Sequence, residues 1–204
     1  MTLVEMEQGR PLSYVCEGVD GQRKWCSTCK LYKPDRAHHC RETSHCVLKY
    51  DHYCPWIGGI VGFARYKFFY QFVWATFLYS IYVLVVCAWL VGFEHDARIY
   101  VALGIAAFWT IMLATFVSYH TRLILLNLST FEAVRSRYPY ISVHMGDKRV
   151  IVESSTNPFF LSYYKNWKQV MGNNFLDWFL PLHKSPGNGV SFEFRELVPE
   201  GNCS

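Results

Sequence analysis

Two long segments without charged side chains dominate the hydrophobic pattern of the chain. Residues 68–93 contain no Asp, Glu, Lys or Arg over 26 residues, and residues 100–121 contain none over 22. About 20 residues of helix cross a hydrocarbon core of about 30 Å. The pattern therefore predicts transmembrane helices at residues 68–93 and 99–127, joined by a connector at residues 94–98. The alternative is a soluble protein, which would have to bury both uncharged helices inside a small chain.

Basic residues avoid the connector and collect on the two flanks. Ten Lys and Arg lie in residues 1–67, one lies in the connector, and nine lie in residues 122–204. Because basic residues stay on the cytoplasmic side of a membrane, we expect both flanks in the cytoplasm and the connector in the lumen or outside. The chain is thus predicted to be a mainly α, multi-pass integral membrane protein. Its net charge of +4 is too small and dispersed for a nucleic-acid partner, but suits weak attraction to lipid headgroups.

The polar segments outside the two helices predict loops and one hairpin. Residues 1–24 are predicted to form an N-terminal loop, and residues 185–204 a flexible tail. Between them and the helices, residues 128–184 form the cytoplasmic C-terminal region. Weak alternation of apolar and polar residues at 140–143 and 149–152 predicts a hairpin there.

The same C-terminal region also contains two apolar stripes at helical spacing. Asn157 followed by Pro158 is typical of a helix start, and the first stripe runs from there to Met171. The second stripe covers residues 175–182. We expect two cytoplasmic amphipathic helices that lie on the membrane surface or pack against the cysteine-rich part of the chain.

Aromatic side chains form a stripe on the first predicted transmembrane helix. Phe69, Phe72 and Tyr79 fall near one face by helical periodicity. Ordinary helix packing explains this stripe as well as a lipid cavity does. His120, near the cytoplasmic end of the second helix, is expected to be an interfacial residue and not a metal ligand.

Residues 25–67 form a small module rich in Cys and His. It has too few aliphatic side chains for a core, so a metal would supply the missing stability. Its pattern offers a Cys3His zinc site that begins with a CxxC pair. The four ligands would be Cys26, Cys29, His39 and Cys46. A thioredoxin-like redox motif shares the CxxC spacing, but no alternating strand–helix pattern surrounds it. Cys40 has no obvious partner, and Cys16 is either a spare thiol or an auxiliary ligand.

The sequence Asp51-His52-Tyr53-Cys54 suggests an activated thiol. An imidazole next to a thiol favours the reactive thiolate, and a carboxylate can hold the imidazole in the right tautomer. The alternative is that His52 or Cys54 is another zinc ligand. A thiol nucleophile beside a membrane suggests an acyl chain as its substrate.

Three motifs in order resemble a known family. The run CSTCKLYKPDRAHHC…HCVLKYDHYCPWIGG resembles the cysteine-rich domain of the DHHC protein S-acyltransferases, or palmitoyltransferases. STFE at residues 129–132 resembles the TTxE motif of that family, and NPF at 157–159 with NW at 166–167 resembles its NPF…NW motif. The resemblance covers residues 25–182. The DHYC variant with the WIGG that follows is similar to the fungal protein fatty acyltransferase subgroup in particular.

The resemblance implies a two-stage transfer of a long-chain acyl group. Cys54 would take the acyl group from palmitoyl-CoA or another long-chain acyl-CoA and pass it to membrane-proximal cysteines of protein substrates. His52 would be the base and Asp51 its orienting partner. The supporting positions are Thr130, which would contact Asp51, together with Glu132 and Asn166.

Two further sets of positions follow from the resemblance alone. Basic positions near the CoA phosphates would be Lys33, Arg36 and His38. Positions of the acyl cavity would be Trp56, Phe69, Phe72 and Tyr79. Both sets are weaker expectations than the motif residues.

The sequence departs from the family at its second zinc site. Members of the family hold two zinc ions, and the second would need ligands at Cys40 and at positions 43, 53 and 60. Those three positions are Thr43, Tyr53 and Ile60. One ligand of four does not make a zinc site, so we predict one zinc ion, with packing around Tyr53 in place of the second metal.

The second departure is at the N-terminus. The family core has two helices before the cysteine-rich domain, whereas 24 residues stand there in this sequence and none of them could cross a bilayer. We therefore expect either a sequence truncated at its N-terminus or a form that lacks half of the acyl cavity. This departure keeps a second hypothesis open, a non-catalytic membrane zinc protein or inactive fragment that binds acyl-CoA or a partner.

Overall fold

The cysteine-rich module is built from three short antiparallel hairpins. The computed structural model describes residues 13–15, 22–135, 140–145, 148–153, 156–182, 186–193 and 195. The first described element is strand β1 (Ser13–Val15), which precedes the module. The hairpins then pair β2 (Trp25–Cys26) with β3 (Leu31–Tyr32), β4 (His38–Cys40) with β5 (His45–Val47), and β6 (His52–Cys54) with β7 (Gly59–Val61). Strands of two or three residues bury little apolar surface, so the module depends on other contacts for its stability.

Two long helices follow the module. Helix α1 spans Tyr66–Val91 and helix α2 spans Ala97–Leu126, so both begin two residues before their predicted starts. Asp96 ends the connector and caps α2, because its carboxylate accepts the N–H of Arg98 at 2.8 Å. Both helices reach a mean hydropathy of 2.0 over 18 residues, yet only 11% of each such window is buried. A core helix of a soluble protein would be covered, so the prediction of two membrane-capable helices is confirmed.

The chain after α2 forms a short helix and a small sheet. Helix α3 covers Thr130–Arg135, and strands β8 (Tyr140–Met145) and β9 (Lys148–Glu153) form the predicted hairpin with longer strands than expected. Strand β1 pairs antiparallel with β8 and completes a three-stranded sheet. The prediction of a loop throughout residues 1–24 is therefore wrong at β1. Cys16 lies outside the described residues.

The predicted helix start at Asn157 is wrong. Residues 157–160 form a turn in which the Asn157 carboxamide oxygen accepts the N–H of Phe159 at 3.0 Å. Its amide nitrogen donates to the carbonyl of Leu126 at 2.7 Å, so Asn157 caps the end of α2 instead of starting a new helix. Helix α4 begins later, at Tyr163, and ends at Met171, with Ser162 as its N-cap. A 3₁₀ turn at Phe175–Trp178 follows where the second amphipathic helix was expected.

The main apolar core lies where the module, the two long helices and α4 meet. It joins the first turns of α1 to the last turns of α2, and the nucleophile candidate Cys54 belongs to it. Its members are Cys54, Val61, Tyr66, Phe69, Tyr70, Val73, Val117, Ile124, Val170 and Met171. The site described below is therefore supported from one side by the membrane-capable helices.

Candidate active site

Hairpin β6–β7 presents His52 and Cys54 together. Residues two apart on a strand point to the same face, so both side chains lie on one face of β6. A 3₁₀ turn at Pro55–Ile57 and Gly58, which has a φ of +59°, close the hairpin and pair Cys54 with Gly59. Gly58 suits this position because its left-handed backbone is strained for other residues.

Asp51 is buried, and both of its carboxylate oxygens accept hydrogen bonds. Its Oδ2 accepts a hydrogen bond of 2.6 Å from Nδ1 of His52. Its Oδ1 accepts the backbone N–H of Thr130 at 2.7 Å, and Oδ2 also accepts the Thr130 hydroxyl at 2.9 Å. Since a carboxylate only accepts hydrogen bonds, Nδ1 of His52 must carry a hydrogen, which leaves Nε2 to face Cys54.

The pKa of His52 is raised above its usual value. Burial alone would lower this pKa, because it disfavours the charged imidazolium. The hydrogen bonds to Asp51 and to Cys54, with the negative charge that each of these groups can carry, outweigh burial. His52 is therefore suited to accept a proton from the thiol of Cys54 and to hold it.

Thr130 is held by a capping box at the start of α3. The Ser129 hydroxyl accepts the N–H of Glu132 at 3.2 Å, and Glu132 Oε2 accepts the N–H of Ser129 at 2.8 Å. This reciprocal pair fixes the first turn of the helix, and with it the two groups that Thr130 offers to Asp51. The STFE sequence thus serves Asp51 directly through Thr130 and indirectly through Ser129 and Glu132.

Glu132 also forms a buried ion pair with Arg36. Two hydrogen bonds of 2.7 Å join the guanidinium to the carboxylate, and Arg36 donates further to the side chain and carbonyl of Asn127 at 2.9 Å. Burial would raise the pKa of Glu132, but the charge and hydrogen bonds of Arg36 outweigh it, so the net shift is downward. The pair links the cysteine-rich module to the end of α2 and to α3.

Lys49 adds a second basic side chain to this junction. Its Nζ donates to the Asn127 carboxamide oxygen at 3.3 Å, and burial, with the nearby charge of Arg36, lowers its pKa to about 7. Arg36, Lys49 and Asn127 all have positive φ angles, of 64°, 42° and 51°. Such left-handed conformations are uncommon for residues other than glycine. Three of them therefore converge on one junction, next to Asp51.

The four predicted zinc ligands do come together. Their ligand atoms all lie within 4.8 Å of one another. The Nδ1 of His39 is 3.2 Å from the Cys29 sulfur and 3.6 Å from the Cys26 sulfur, and the Cys46 and Cys29 sulfurs are 3.7 Å apart. Sulfurs at about 2.3 Å from a tetrahedral zinc would be about 3.8 Å apart. This soft, compact Cys3His set therefore fits a structural zinc ion.

No second cluster of this kind occurs in the part of the chain that the structure describes. Cys40 is buried, and its thiol donates to the carboxylate of Glu42 at 3.1 Å. Tyr53 and Ile60 lie directly opposite each other on β6 and β7, so their side chains can pair across the hairpin at two positions where a second zinc site would need ligands. The described residues hold one group that suits a metal.

The three positions expected near CoA phosphates differ in their surroundings. Lys33 and His38 are partly exposed, and the ring centroids of His38 and Phe131 are 3.8 Å apart. The side chain of Arg36 has no exposed surface, and Glu132 and Asn127 bind its guanidinium. The structure therefore does not support a phosphate contact for Arg36, which instead joins the module to the helices.

The four expected acyl-cavity positions also separate. Phe69 is buried, and its ring meets the His52 ring edge-on with centroids 5.0 Å apart. Phe72, Tyr79 and Trp56 are 54%, 67% and 86% exposed. Phe69 therefore contacts His52, while the other three present apolar surface on the outside of the described structure.

Asn166 is fully buried, and its side chain binds backbone groups of α2 and of the turn before α4. Its amide donates to the carbonyl of Leu125 at 2.7 Å, and its oxygen accepts the N–H of Leu161 at 3.2 Å. It therefore holds α4 against the last turn of α2, whose end leads directly to Thr130.

Sequence reasoning missed Tyr66 and His120. His120 is buried, its ring lies 6.2 Å from that of His52, and its Nδ1 forms a hydrogen bond of 3.0 Å with the Tyr66 hydroxyl. The expectation of an interfacial histidine did not include this buried contact with Tyr66. A polar residue inside an apolar segment is a functional signal in its own right, and that signal was available in the sequence.

Comparison with known proteins places this site in a family. The DHHC palmitoyltransferase family model matches residues 19–137. The chain is 34% identical over 209 residues to palmitoyltransferase ZDHHC15 of Rattus norvegicus, covering 98% of this chain and 58% of the relative. It is 37% identical over 191 residues to palmitoyltransferase ZDHHC2 of Danio rerio, with coverages of 89% and 50%. Palmitoyltransferase pfa5 of the fungus Aspergillus fumigatus is 32% identical over 222 residues, with coverages of 85% and 50%. The chain thus spans about half the length of these relatives.

Proposed function

We propose that this chain, which belongs to the DHHC palmitoyltransferase family, carries out protein S-acylation through an acyl-enzyme on Cys54. The observation that carries the proposal is the chain of contacts from Thr130 through Asp51 and His52 to Cys54. A thiol next to an oriented imidazole is the arrangement that nucleophilic catalysis by cysteine requires.

The first stage acylates the enzyme. The Cys54 thiol gives its proton to Nε2 of His52, and the thiolate attacks the carbonyl carbon of a long-chain acyl-CoA thioester. A bond forms between Cys54 sulfur and the acyl carbon, and the bond from that carbon to the CoA sulfur breaks. The leaving CoA thiolate takes the proton from His52. Asp51 stabilises the imidazolium during the step.

The second stage passes the acyl group to a protein. A thiol of a membrane-proximal substrate cysteine gives its proton to His52 and attacks the acyl carbon on Cys54. The bond to Cys54 breaks, and its thiolate takes the proton back. Enzyme and base return to their starting states, so no further reactant is needed.

The surroundings of the site support a role for each remaining group. Lys33 and His38 are the candidates for contacts with the CoA phosphates, and Phe69 for the first part of the acyl chain. One zinc ion held by the Cys3His cluster would stabilise the module that presents β6. With both flanks of the helix pair in the cytoplasm, the site would face the cytoplasmic surface of the membrane.

Labelled palmitoyl-CoA tests the proposal. The purified protein in detergent is expected to acquire hydroxylamine-sensitive label on Cys54, and Cys54→Ala should abolish it. Cys87→Ala is the matched control, because Cys87 is a buried thiol in α1 away from the site. Label that persists in Cys54→Ala, or that never appears on the wild type, would contradict acyl transfer.

A second candidate is a protein that binds acyl-CoA without transferring the acyl group. It is favoured by the exposure of Trp56, Phe72 and Tyr79, which leaves the expected acyl-cavity positions open. Saturable binding of a non-hydrolysable acyl-CoA analogue together with no label on Cys54 would support this candidate.

A further inference from the structure

Tyr66 and His120 form a polar contact between the two long helices, next to the β6–β7 hairpin that carries His52 and Cys54. Tyr66 is the first residue of α1, and His120 lies in α2 close to its end at Leu126. Their hydrogen bond of 3.0 Å joins the phenol oxygen to Nδ1. Both side chains are buried, so each group depends on the other for its hydrogen bond.

Phe69 packs beside both His52 and His120, whose ring centroids are themselves 6.2 Å apart, so the three rings form a triangle. Its ring centroid is 5.0 Å from that of His52 and also 5.0 Å from that of His120, with the same interplanar angle of 74°. The edge-to-face arrangement is the favoured one for aromatic rings. Movement of His120 would therefore remove one of the ring contacts that restrain Phe69 and His52.

His52 needs such a contact because its hydrogen bonds fix two points only. Asp51 holds Nδ1 and Cys54 lies at the other nitrogen, which leaves the ring able to rock about the line between them. Phe69 restricts that motion from the side of the helices. A shift of about 1 Å in a reacting group can cost a factor of about 10² in rate, so the restraint matters for chemistry.

We propose that Tyr66 and His120 are positioning residues for His52, acting through the cluster of rings that His52, Phe69 and His120 form. The hydrogen bond between Tyr66 and His120 fixes the His120 ring, and the His120 and Phe69 rings together keep the His52 imidazole aligned with the thiol of Cys54. The consequence for acyl transfer rests on the proposed function, whereas the alignment of His52 with Cys54 does not.

The chain offers a matched control for this inference. Tyr70 lies four residues after Tyr66 on α1, and its hydroxyl forms a hydrogen bond of 2.7 Å with Thr121, next to His120 on α2. Its ring contacts are Trp74 and Trp167. Tyr70→Phe therefore removes the same kind of bond between the same helices without touching Phe69 or His52.

The experiment measures how fast iodoacetamide alkylates Cys54 at different pH values, by mass spectrometry of the Cys54 peptide. It needs no acyl-CoA, so it tests alignment whether or not acyl transfer occurs. Tyr66→Phe and His120→Leu are expected to slow alkylation at pH 7 about tenfold and to move the rate–pH curve to higher pH, because a misaligned imidazole no longer favours the thiolate. His120→Gln, which keeps a partner for the Tyr66 hydroxyl, should restore most of the rate.

The control variant decides between positioning and mere structural support. Tyr70→Phe is expected to keep the wild-type alkylation curve while lowering the melting temperature as much as Tyr66→Phe does. Equal curves for Tyr66→Phe and wild type, or equal slowing by both tyrosine variants, would overturn the inference. If His120→Leu does not fold, the two tyrosine variants still decide. A wild type that alkylates normally but never forms an acyl-enzyme would contradict the proposed function and leave the alignment result standing.

Discussion

Arg36 and Glu132 are 96 positions apart in the chain, yet two parallel hydrogen bonds of 2.7 Å join them inside the protein. Bidentate pairing of this kind is the strongest geometry that an arginine and a carboxylate can adopt. Here it connects the module that holds Cys54 to the helix that holds Thr130, the partner of Asp51. The geometry of the site therefore depends on a contact that does not involve Asp51, His52 or Cys54.

Removing the carboxylate from this pair is expected to destabilise the protein severely. Glu132→Gln leaves the buried guanidinium of Arg36 without its counter-charge, a change that typically costs about 3–5 kcal/mol. Thermal unfolding in detergent measures the effect. The control is Asp96→Asn, which breaks the exposed pair with Arg98 and should leave the melting temperature unchanged. Similar melting temperatures for both variants would contradict a structural role for the buried pair.

The pH dependence of acylation is expected to follow His52. Activity needs the neutral imidazole, so the rate should rise as pH passes the His52 pKa, with a midpoint above the usual value of about 6.5. Asp51→Asn removes the carboxylate that raises this pKa. The midpoint should therefore move to lower pH, while the maximal rate falls by about two orders of magnitude or more because the tautomer is no longer fixed. Pre-steady-state labelling of Cys54 across pH measures both, and an unmoved midpoint would contradict the role of Asp51.

Metal content is expected to be one zinc ion per chain. Cys46→Ser removes one of four ligands and should release the metal and unfold the module, since its short strands bury little apolar surface. Cys40→Ser should keep the zinc, because Cys40 lies outside the cluster. Elemental analysis of the purified protein gives the stoichiometry. Two zinc ions per wild-type chain would show that residues outside the four named ligands bind metal.

Gly62 is expected to tolerate no side chain. A Cβ at this position would lie 2.9 Å from Cγ1 of Val47 and 3.0 Å from the Leu48 carbonyl oxygen, so Gly62→Ala pushes the end of β7 away from the segment that follows β5. Such overpacking typically costs about 1–3 kcal/mol. Gly104→Ala in α2 is the control, because nothing lies within 4 Å of its Cβ. A comparison of the two melting temperatures checks the prediction, and it would be contradicted by equal values.

The sequence allowed the local features of this protein to be predicted. An uncharged run longer than a bilayer specifies a helix whatever its neighbours are, so α1 and α2 were found within two residues. Ligand spacing in Cys26, Cys29, His39 and Cys46 is likewise a local property, and the four atoms meet as expected. The catalytic roles of Asp51, His52 and Cys54 remain predictions, although their geometry suits those roles.

Features that depend on distant contacts could not be predicted. Nothing near Arg36 in the chain shows that it meets Glu132, so the family resemblance alone placed it near the CoA phosphates. Asn157 has the local signs of a helix cap, but the carbonyl that it binds belongs to Leu126. In both cases a buried group at the end of α2 needed a partner, and that need is invisible until the helices are placed.

The buried junction around Asn127 also sets the order in which this protein can become functional. The ribosome delivers Cys54 and Asp51 before either long helix, whereas Thr130, the partner of Asp51, is 79 positions later. Arg36 and Lys49 likewise have no Asn127 to bind until that later residue has been synthesised. If α1 and α2 cross the bilayer, these partners meet only after the second helix has brought the chain back to the side where the module waits. The contacts around Cys54 would therefore stay incomplete until insertion is complete. A wrongly inserted chain would not hold Cys54 in the arrangement proposed for its reactivity.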